Sequence, residues 1–392
     1  MSRFSPLSRA HWKGPTLRVV AALLAFKIVF FGLIYACLTL LPPLYSAENF
    51  ALNFHRAASP AGWERFFETW DAGHYLSLSQ NGYQLGSRST AFFPFWPALI
   101  ALFRPFCGGN STLAALVLAN VFSIAALALL HRIVRGASDE ALADRTLLLF
   151  LAFPGALFLG FPYSEALFLG LSLAIWMMLQ RDRQNPRGDG KIGLWIGTLA
   201  FLAALTRPTG ALWVVPLAHH LWVNQRRGAW PLLLAPLLGL AAYAAIVGLD
   251  TGNPWEGFAQ QHNFVSQPSF GKIFDIWGFL NGFFRPLEAR HNFLSSPYDR
   301  AVFLWFLATL PAIWKRDRTL FCYALVMGLV PALTVSMASY LRYALMAWPS
   351  IWVSAQFLSA PRRQWLWPSV LLGLFGLQLL FLLRHINFYW TG

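Results

Sequence analysis

Residues 17–41 read LRVVAALLAFKIVFFGLIYACLTLL, an apolar stretch that carries only Arg18 and Lys27 as charges. A helix needs about 20 apolar residues to cross a hydrocarbon core of about 30 Å. The stretch is longer than a signal-peptide core and ends in Pro42-Pro43 rather than at a small-residue cleavage site, so we expect a retained membrane span. Similar stretches recur along the chain, and backbone groups in lipid must be satisfied internally. The sequence therefore predicts an all-α polytopic membrane protein.

The composition supports a membrane protein. Hydrophobic residues make up 57% of the 392 residues and charged residues 12%, whereas soluble domains average roughly 25% charged residues. The net charge of +14 does not indicate nucleic acid, because Lys and Arg are concentrated in short clusters between the apolar stretches. These clusters are the N-terminus, 131–145, 181–191, 226–227, 315–318 and 362–363. We predict that they are cytoplasmic and that the chain contacts membrane lipids and no nucleic acid.

Cytoplasmic clusters require an even number of crossings between them, which gives about eleven spans in a single membrane domain, residues 1–392. The predicted spans are 17–41, 111–131, 146–161, 163–180, 192–206, 209–223, 231–249, 299–314, 319–336, 343–359 and 366–384. This assignment places the N-terminus in the cytoplasm and the C-terminus outside.

Two long loops, 42–90 and 250–297, then lie on the outer side, and their aromatic content predicts that they are folded. Residues 91–106 read AFFPFWPALIALFRPF and contain three prolines. Counting this segment as a crossing would move the next basic cluster outside, so we predict a re-entrant or interfacial element.

The first outer loop carries the sequence FFETWDAGHY at residues 66–75. Asp71 and His74 are three residues apart and share a face if the segment is helical. Trp70 and Tyr75 flank them and would shield the carboxylate partly from water. The pattern predicts a base, Asp71, beside an imidazole that orients it or the substrate, although an interfacial loop remains an alternative for so short a motif.

Other candidate residues lie at the predicted outer ends of spans. Glu165 follows Tyr163 at such an end, where it also suits a helix N-terminus. Arg207 and Arg342 lie at the same level, and two guanidinium groups over a cavity predict a phosphate clamp, although each alone could be an interfacial anchor. His262 in the second outer loop is a candidate for the acceptor side.

The order of five short motifs resembles the PIG-V-type mannosyltransferases of the GT-C superfamily, over residues 21–349. The motifs are WDAGHY (70–75), FFPFWP (92–97), PYSE (162–165), TRPTG (206–210) and LRY (341–343). The resemblance implies a GT-C-like bundle, an acidic first-loop motif at Asp71 and an aromatic, proline-rich segment that contains Phe93 and Trp96. Eukaryotic members tend to read R-S-N-G where this chain has RPTG, so the resemblance leaves donor and acceptor open. Short loops and the Ala/Leu/Arg-rich composition favour a bacterial homologue.

The resemblance implies mannose transfer from a polyprenyl-phosphate donor to a glycan or glycolipid hydroxyl, with inversion. We predict Asp71 as base, His74 and Glu165 as orienting or acceptor-binding groups, and Arg207 and Arg342 as donor-phosphate ligands, with Tyr343 beside them. No cofactor is expected, and a divalent cation on the two acids is less favoured because few other acids accompany them. The expected location is a bacterial inner membrane with a periplasmic site, or the ER membrane with a luminal site in a eukaryote. A flippase or transporter of a lipid-linked sugar is the alternative, although the chain lacks the paired halves that transporters often show.

Overall fold

The computed structural model describes residues 17–45, 47–54, 62–185, 190–264, 268–284, 297–334, 337 and 339–391. In these ranges the regular elements are helices, and no strand is present. The prediction of an all-α polytopic membrane fold is confirmed.

The α-helices are numbered in chain order. They are α1 Leu17–Leu40, α2 Ala47–Leu52, α3 Asp71–Asn81, α4 Phe95–Phe103, α5 Ser111–Ala137, α6 Glu140–Ala152, α7 Glu165–Arg183, α8 Gly190–Thr206, α9 Val214–Val223, α10 Leu234–Thr251, α11 Glu256–Gln260, α12 Ile276–Phe283, α13 Pro297–Arg316, α14 Arg318–Thr334, α15 Tyr340–Tyr343, α16 Pro349–Leu358 and α17 Leu366–Ile386. Short 3₁₀ helices are Trp63–Phe66, Arg88–Ala91, Arg104–Cys107, Pro154–Leu159, Pro208–Trp213, Arg227–Leu233, Gln261–Asn263, Phe270–Phe274, Ala344–Met346 and Pro361–Arg363.

The bundle is built around successive helix pairs. Helix α5 packs on α7, α7 on α8, and α8 on α10, while α13 and α14 form a further pair that α9 and α16 adjoin. Helix α3, in the predicted first outer loop, lies against α4 and the 3₁₀ helix Arg88–Ala91. This packing places the first outer loop over one end of the bundle.

In their described residues, the eleven predicted spans coincide with helical segments, but their lengths differ. Within the described ranges, four helices are long and apolar enough to cross a bilayer: Leu17–Leu40, Ser111–Ala137, Arg227–Thr251 and Leu366–Ile386. Several others combine a short α-helix with a 3₁₀ turn that begins at a proline, as at Pro154 and Pro208. Proline cannot donate a backbone hydrogen bond, so it ends or breaks a helix. Irregular backbone at membrane depth needs protein or a cavity around it.

Residues 91–106 form the short helix α4, which continues into the 3₁₀ helix Arg104–Cys107 and packs against α3 and α5. Pro94 precedes the helix, and Pro105 lies at the start of the 3₁₀ turn. The helical stretch Phe95–Cys107 is shorter than the roughly 20 residues that a crossing requires. Its re-entrant character stays a prediction.

The basic clusters meet at the other end of the bundle. Helix α7 is about 28 Å long by its 19 residues, so Arg183 lies far from Glu165 at its start. Arg183 forms an ion pair with Asp317, Arg226 Nε lies 3.3 Å from Asp182 Oδ2, and Arg18 Nη2 lies 2.9 Å from Asp144 Oδ1. These pairs join the N-terminal cluster to 131–145 and, separately, join 181–191 to both 226–227 and 315–318, which is consistent with a shared side of the membrane within each group.

Candidate active site

The candidate base lies at the first residue of α3. Trp70 precedes it with φ 53° and ψ −122°, a conformation that bulky residues rarely adopt. The Trp70 amide donates to Asn53 Oδ1 at 3.1 Å, and its indole Nε1 donates to the Tyr389 carbonyl at 3.3 Å. Asp71 suits the first turn because a carboxylate there is stabilised by the helix dipole. The chain reversal at Trp70 therefore fixes where the carboxylate points.

Three other charged side chains come from helix breaks. Glu165 begins α7 after the turn that contains Pro162, and Arg207 lies between the end of α8 and the 3₁₀ helix that starts at Pro208. Arg342 lies in the single turn α15, where the Leu341 amide donates to Asp299 Oδ1 at 2.8 Å. The breaks thus bring four distant segments to one level.

These four side chains form one network of ion pairs. Arg342 Nη2 lies 2.7 Å from Asp71 Oδ2, and Arg342 Nε lies 3.1 Å from Glu165 Oε1. Arg207 Nη1 lies 2.5 Å from the same Glu165 oxygen. Glu165 therefore bridges the two arginines, and Arg342 bridges the two acids. The formal charge of the four groups together is zero.

The network is buried to different depths. The side chain of Glu165 is 1% exposed and that of Arg342 is 4% exposed, whereas Asp71 is 18% exposed. Within the described part of the chain, neither Glu165 oxygen accepts a well-aligned hydrogen bond, so its arginine contacts are ion pairs of poor hydrogen-bond angle. Asp71 is the acid that ligands can reach, and Glu165 lies behind the arginines.

Neutral polar groups extend the network. Arg207 Nη1 donates to Ser164 Oγ at 3.2 Å, and the Tyr75 hydroxyl shares a 2.8 Å hydrogen bond with the same oxygen. Tyr163 donates its hydroxyl proton to the Thr69 carbonyl at 3.0 Å. These bonds tie α3 to the start of α7, and they stabilise the position of Asp71 relative to Glu165.

The accessible side of the network faces a cavity of about 520 Å³. Its charged wall residues are Asp71, Arg88, Arg207 and Arg342. Aromatic and polar wall residues that were predicted from sequence are Trp70, His74, Tyr75, Phe93 and Tyr343. A cavity of this size holds a ligand of several hundred cubic ångströms, and its aromatic lining with few charged groups is typical of binding sites.

His74 is enclosed by aromatic rings. Its imidazole stacks on Phe54 and Phe92, with ring centroids 4.0 and 4.8 Å away, and its Nδ1 lies 3.0 Å from Ser89 Oγ. Burial, together with the nearby Arg88 charge, lowers the pKa of His74 to about 3. The imidazole is therefore neutral near pH 7 and supports the cavity wall rather than carrying a charge.

Four sequence candidates are not wall residues. Glu165 and Tyr163 lie behind the wall, and Trp96 is fully buried with its Nε1 donating to the Pro162 carbonyl at 3.3 Å. His262 is exposed, while its neighbours Gln261, Asn263 and Phe264 line the cavity. The other eight candidates all line the cavity.

Sequence reasoning missed three residues. Arg88 and Trp390 line the cavity, and Ser164 links Tyr75 to Arg207. Arg88 belongs to a loop that showed no motif, and Trp390 follows the last predicted span. The PYSE motif contained Ser164, so its position beside Glu165 was the one available signal.

A metal ion was a less favoured expectation. Across the described residues, no group of three or more His, Cys, Asp or Glu side chains is placed to hold an ion. Asp71 and Glu165 each have an arginine as partner. Independence of metal stays a prediction.

Comparison with known proteins supports the motif-based interpretation. The sequence profile of the family described as Mannosyltransferase (PIG-V) matches residues 19–209. Residues 19–209, here the PIG-V segment, are thus similar to this family. GPI alpha-1,6-mannosyltransferase 2 of Rattus norvegicus is 33% identical over 195 residues, which cover 46% of this chain and 36% of the relative. The Cricetulus griseus protein of the same name is 31% identical over 207 residues, which cover 48% of this chain and 38% of the relative.

The chain thus spans little more than a third of those PIG-V relatives. Asp71, Glu165 and Arg207 lie in the PIG-V segment, whereas Arg342 comes from the remaining part of the chain.

Solved structures show the same fold. ArnT from Cupriavidus metallidurans, bound to undecaprenyl phosphate, superposes with a TM-score of 0.51 at 16% identity, covering 91% of this chain and 62% of ArnT. Its apo form gives a TM-score of 0.50 at 15% identity, covering 90% of this chain and 63% of ArnT. This likeness confirms the predicted GT-C-like bundle. It concerns the fold alone.

Proposed function

We propose that the chain is an integral-membrane mannosyltransferase that uses a polyprenyl-phosphate mannose donor and a glycan or glycolipid hydroxyl acceptor. The observation that carries the proposal is a reachable carboxylate, Asp71, held by Arg342 in a cavity that also contains Arg88. The PIG-V segment and its mannosyltransferase relatives support mannose as the sugar. The structure of ArnT with undecaprenyl phosphate supports a polyprenyl-phosphate donor.

The charge of the site matches such a donor. Asp71, Glu165, Arg207 and Arg342 sum to zero, and Arg88 is exposed, with no ion pair among the described residues. The site therefore has a formal charge of +1. A sugar phosphodiester carries one negative charge, and guanidinium groups match phosphate oxygens in a fixed fork. We assign Arg88 to the donor phosphate, together with Arg207 and Arg342.

The proposed reaction uses the groups in sequence. The phosphate of the donor competes for the Arg342 guanidinium and leaves the Asp71 carboxylate free to accept the acceptor's hydroxyl proton. The acceptor oxygen attacks C1 of mannose on the face opposite the phosphate, and the bond between C1 and the phosphate oxygen breaks. Its electron pair stays on the phosphate, where the arginines stabilise the added charge. A β-linked donor would therefore give an α-mannoside.

Glu165 and His74 have supporting roles in this proposal. Glu165 holds both arginines at the cavity wall, at 2.5 and 3.1 Å. His74 keeps the Arg88 turn in place through Ser89. Arginines held in place before the reaction stabilise the transition state effectively, because they need not reorient as negative charge develops on the phosphate.

We place the site on the non-cytoplasmic face, the periplasmic side of a bacterial inner membrane. The clustering of Lys and Arg at the opposite end of the bundle supports this orientation. Labelling of engineered cysteines from either side tests it.

The transfer itself is tested with purified protein, radiolabelled polyprenyl-phosphate mannose and a panel of glycan and glycolipid acceptors. Asp71→Asn removes the proton acceptor with almost no change of shape, so the transfer rate should fall by about 10² to 10⁴-fold. Asp250→Asn is the matched control, because Asp250 is exposed near the end of α10 and lies outside the cavity wall.

A folded Asp71→Asn protein that transfers mannose at the wild-type rate would remove Asp71 as the base. A wild-type protein that transfers mannose to no acceptor, yet moves the labelled lipid between the leaflets of proteoliposomes, would instead establish the flippase alternative.

A further inference from the structure

Residues 387–391, here the tail segment, follow α17 and lie across the first outer loop. Four hydrogen bonds fasten the two together: Asn387 Oδ1 accepts from the Leu44 amide at 2.9 Å, the Tyr389 hydroxyl donates to the Leu44 carbonyl at 3.0 Å, Asn53 Nδ2 donates to the Phe388 carbonyl at 3.1 Å, and Trp70 Nε1 donates to the Tyr389 carbonyl at 3.3 Å. The tail segment is part of the structure that holds Trp70.

A buried histidine contacts both the residue before Trp70 and the residue after Trp390. His385, in the last turn of α17, lies with Nε2 2.9 Å from Thr69 Oγ1 and with Nδ1 3.0 Å from Thr391 Oγ1. Thr69 precedes Trp70, and Thr391 follows Trp390. The same imidazole therefore fixes the two tryptophans relative to each other.

The two indole rings form a corner in the cavity wall. Their centroids are 4.8 Å apart and their planes make an angle of 83°. Both side chains are half-buried, and both line the cavity next to Asp71. The pair presents aromatic surface to the cavity next to Asp71.

We propose that Trp70 and Trp390 form a binding corner for a pyranose ring, which stacks its C–H face on one indole beside Asp71. The inference rests on the proposed function for its setting, and it assigns a substrate contact to the tail segment. The apolar face of a sugar ring packs on an indole as other apolar groups do, while its hydroxyls remain free for polar neighbours. The ring could belong to the acceptor or to the mannose of the donor, and both share this chemistry.

A binding measurement tests the corner independently of catalysis. Saturation-transfer difference NMR is recorded with the full chain in lipid nanodiscs and methyl α-D-mannopyranoside as probe. We expect saturation of the sugar ring protons with wild-type protein and with Trp390→Phe, and loss of at least half of it with Trp390→Leu. Trp365→Leu is the matched control, since Trp365 is 72% exposed and lies outside the cavity wall.

Steady-state kinetics then distinguish the two sources of the ring. Trp390→Leu should raise one KM by about three- to tenfold, the scale of one aromatic contact, with little change in kcat. A rise in the acceptor KM assigns the corner to the acceptor, and a rise in the donor KM assigns it to the donor mannose.

Saturation transfer that is absent with wild-type protein, or equal in wild type and Trp390→Leu, overturns the proposal. If Trp390→Leu does not fold, Trp390→Phe still tests it, because a phenyl ring keeps the stacking surface and must retain binding. A chain that binds the sugar at Trp390 but transfers none refutes the proposed function and leaves the corner standing.

Discussion

Glu165→Gln is the substitution that most directly tests how the charge network holds the site together. Glu165 is the one carboxylate within ion-pair distance of Arg207 among the described residues, and it is one of two near Arg342. The neutral amide leaves the buried Arg207 without a charged partner. Breaking a buried ion pair from one side typically costs about 3 to 5 kcal/mol, so we expect a loss of that size in the free energy of unfolding.

Asp71→Asn is the contrasting variant, because the ion pair between Arg342 and Glu165 at 3.1 Å remains. The Asp71 side chain is also partly exposed, so its removal should cost less than the roughly 3 to 5 kcal/mol expected for a fully buried pair. Reversible unfolding in mixed detergent micelles, followed by tryptophan fluorescence, measures both variants. The expected pattern is a large stability loss for Glu165→Gln and a large activity loss for Asp71→Asn.

A double-mutant cycle sharpens the test. Arg207→Met removes the stranded charge, so Arg207→Met combined with Glu165→Gln should be more stable than the sum of the two single losses predicts. Additive losses would mean that the 2.5 Å pair contributes no coupling. In that case, or if Glu165→Gln unfolds like wild type, the network does not hold the site.

Three further outcomes follow from the site. Arg88→Gln should weaken donor binding by about 1.5 to 3 kcal/mol, the scale of a charge-assisted hydrogen bond, without changing stability. The control Arg65→Gln, at another exposed arginine, should leave donor binding unchanged. Isothermal titration with polyprenyl phosphate measures both affinities, and equal values would remove Arg88 from the phosphate site. For His74 the native pKa of about 3 lies below the unfolded value of 6.5, so the unfolded chain binds more protons between these values and stability must fall as pH decreases through this window. Thermal unfolding between pH 7 and pH 4.5 should therefore show a smaller loss for His74→Asn than for wild type, and equal losses would contradict the buried neutral imidazole. Cysteines placed at Asp250 and Lys191 should react with a membrane-impermeant maleimide from opposite sides, and labelling from one side would refute the topology.

The sequence predicted the membrane fold and most of the candidates that line the cavity because the signals were local. Apolar length and the basic clusters determine the spans, and the short motifs around Asp71, Glu165, Arg207 and Arg342 lie at the ends of those spans. Residues at one level of a bundle meet when the helices pack, so their proximity followed from topology alone.

The same sequence signals did not show which acid pairs with which arginine, or in which direction the side chains point. Arg207 and Arg342 were expected to be a phosphate clamp, but each has a carboxylate partner, and which acid lies 2.5 or 2.7 Å away depends on helix breaks and rotamers. Arg88 begins a short 3₁₀ helix and Trp390 lies in the irregular segment after α17, and the placement of both depends on tertiary contacts. At residues 261–264, a 3₁₀ turn directs His262 outward and places its neighbours at the cavity, a choice that composition cannot reveal.

The proposed mechanism gives a physical reason for a neutral network with one additional arginine. Before transfer, a site of formal charge +1 faces a phosphodiester of charge −1. Transfer adds the acceptor proton to Asp71, so the site becomes +2 while the departing polyprenyl phosphate approaches −2. The charges of site and ligand therefore balance before and after the reaction, which avoids the cost of an unpaired charge in a cavity of low dielectric constant. Loss of the proton from Asp71 to water then returns the site to +1 and leaves the phosphate with one negative charge in excess. That excess negative charge favours release of the lipid product. Proton loss to water requires that Asp71 be partly exposed, whereas Glu165 can stay buried, and this is how the two side chains lie in the structure.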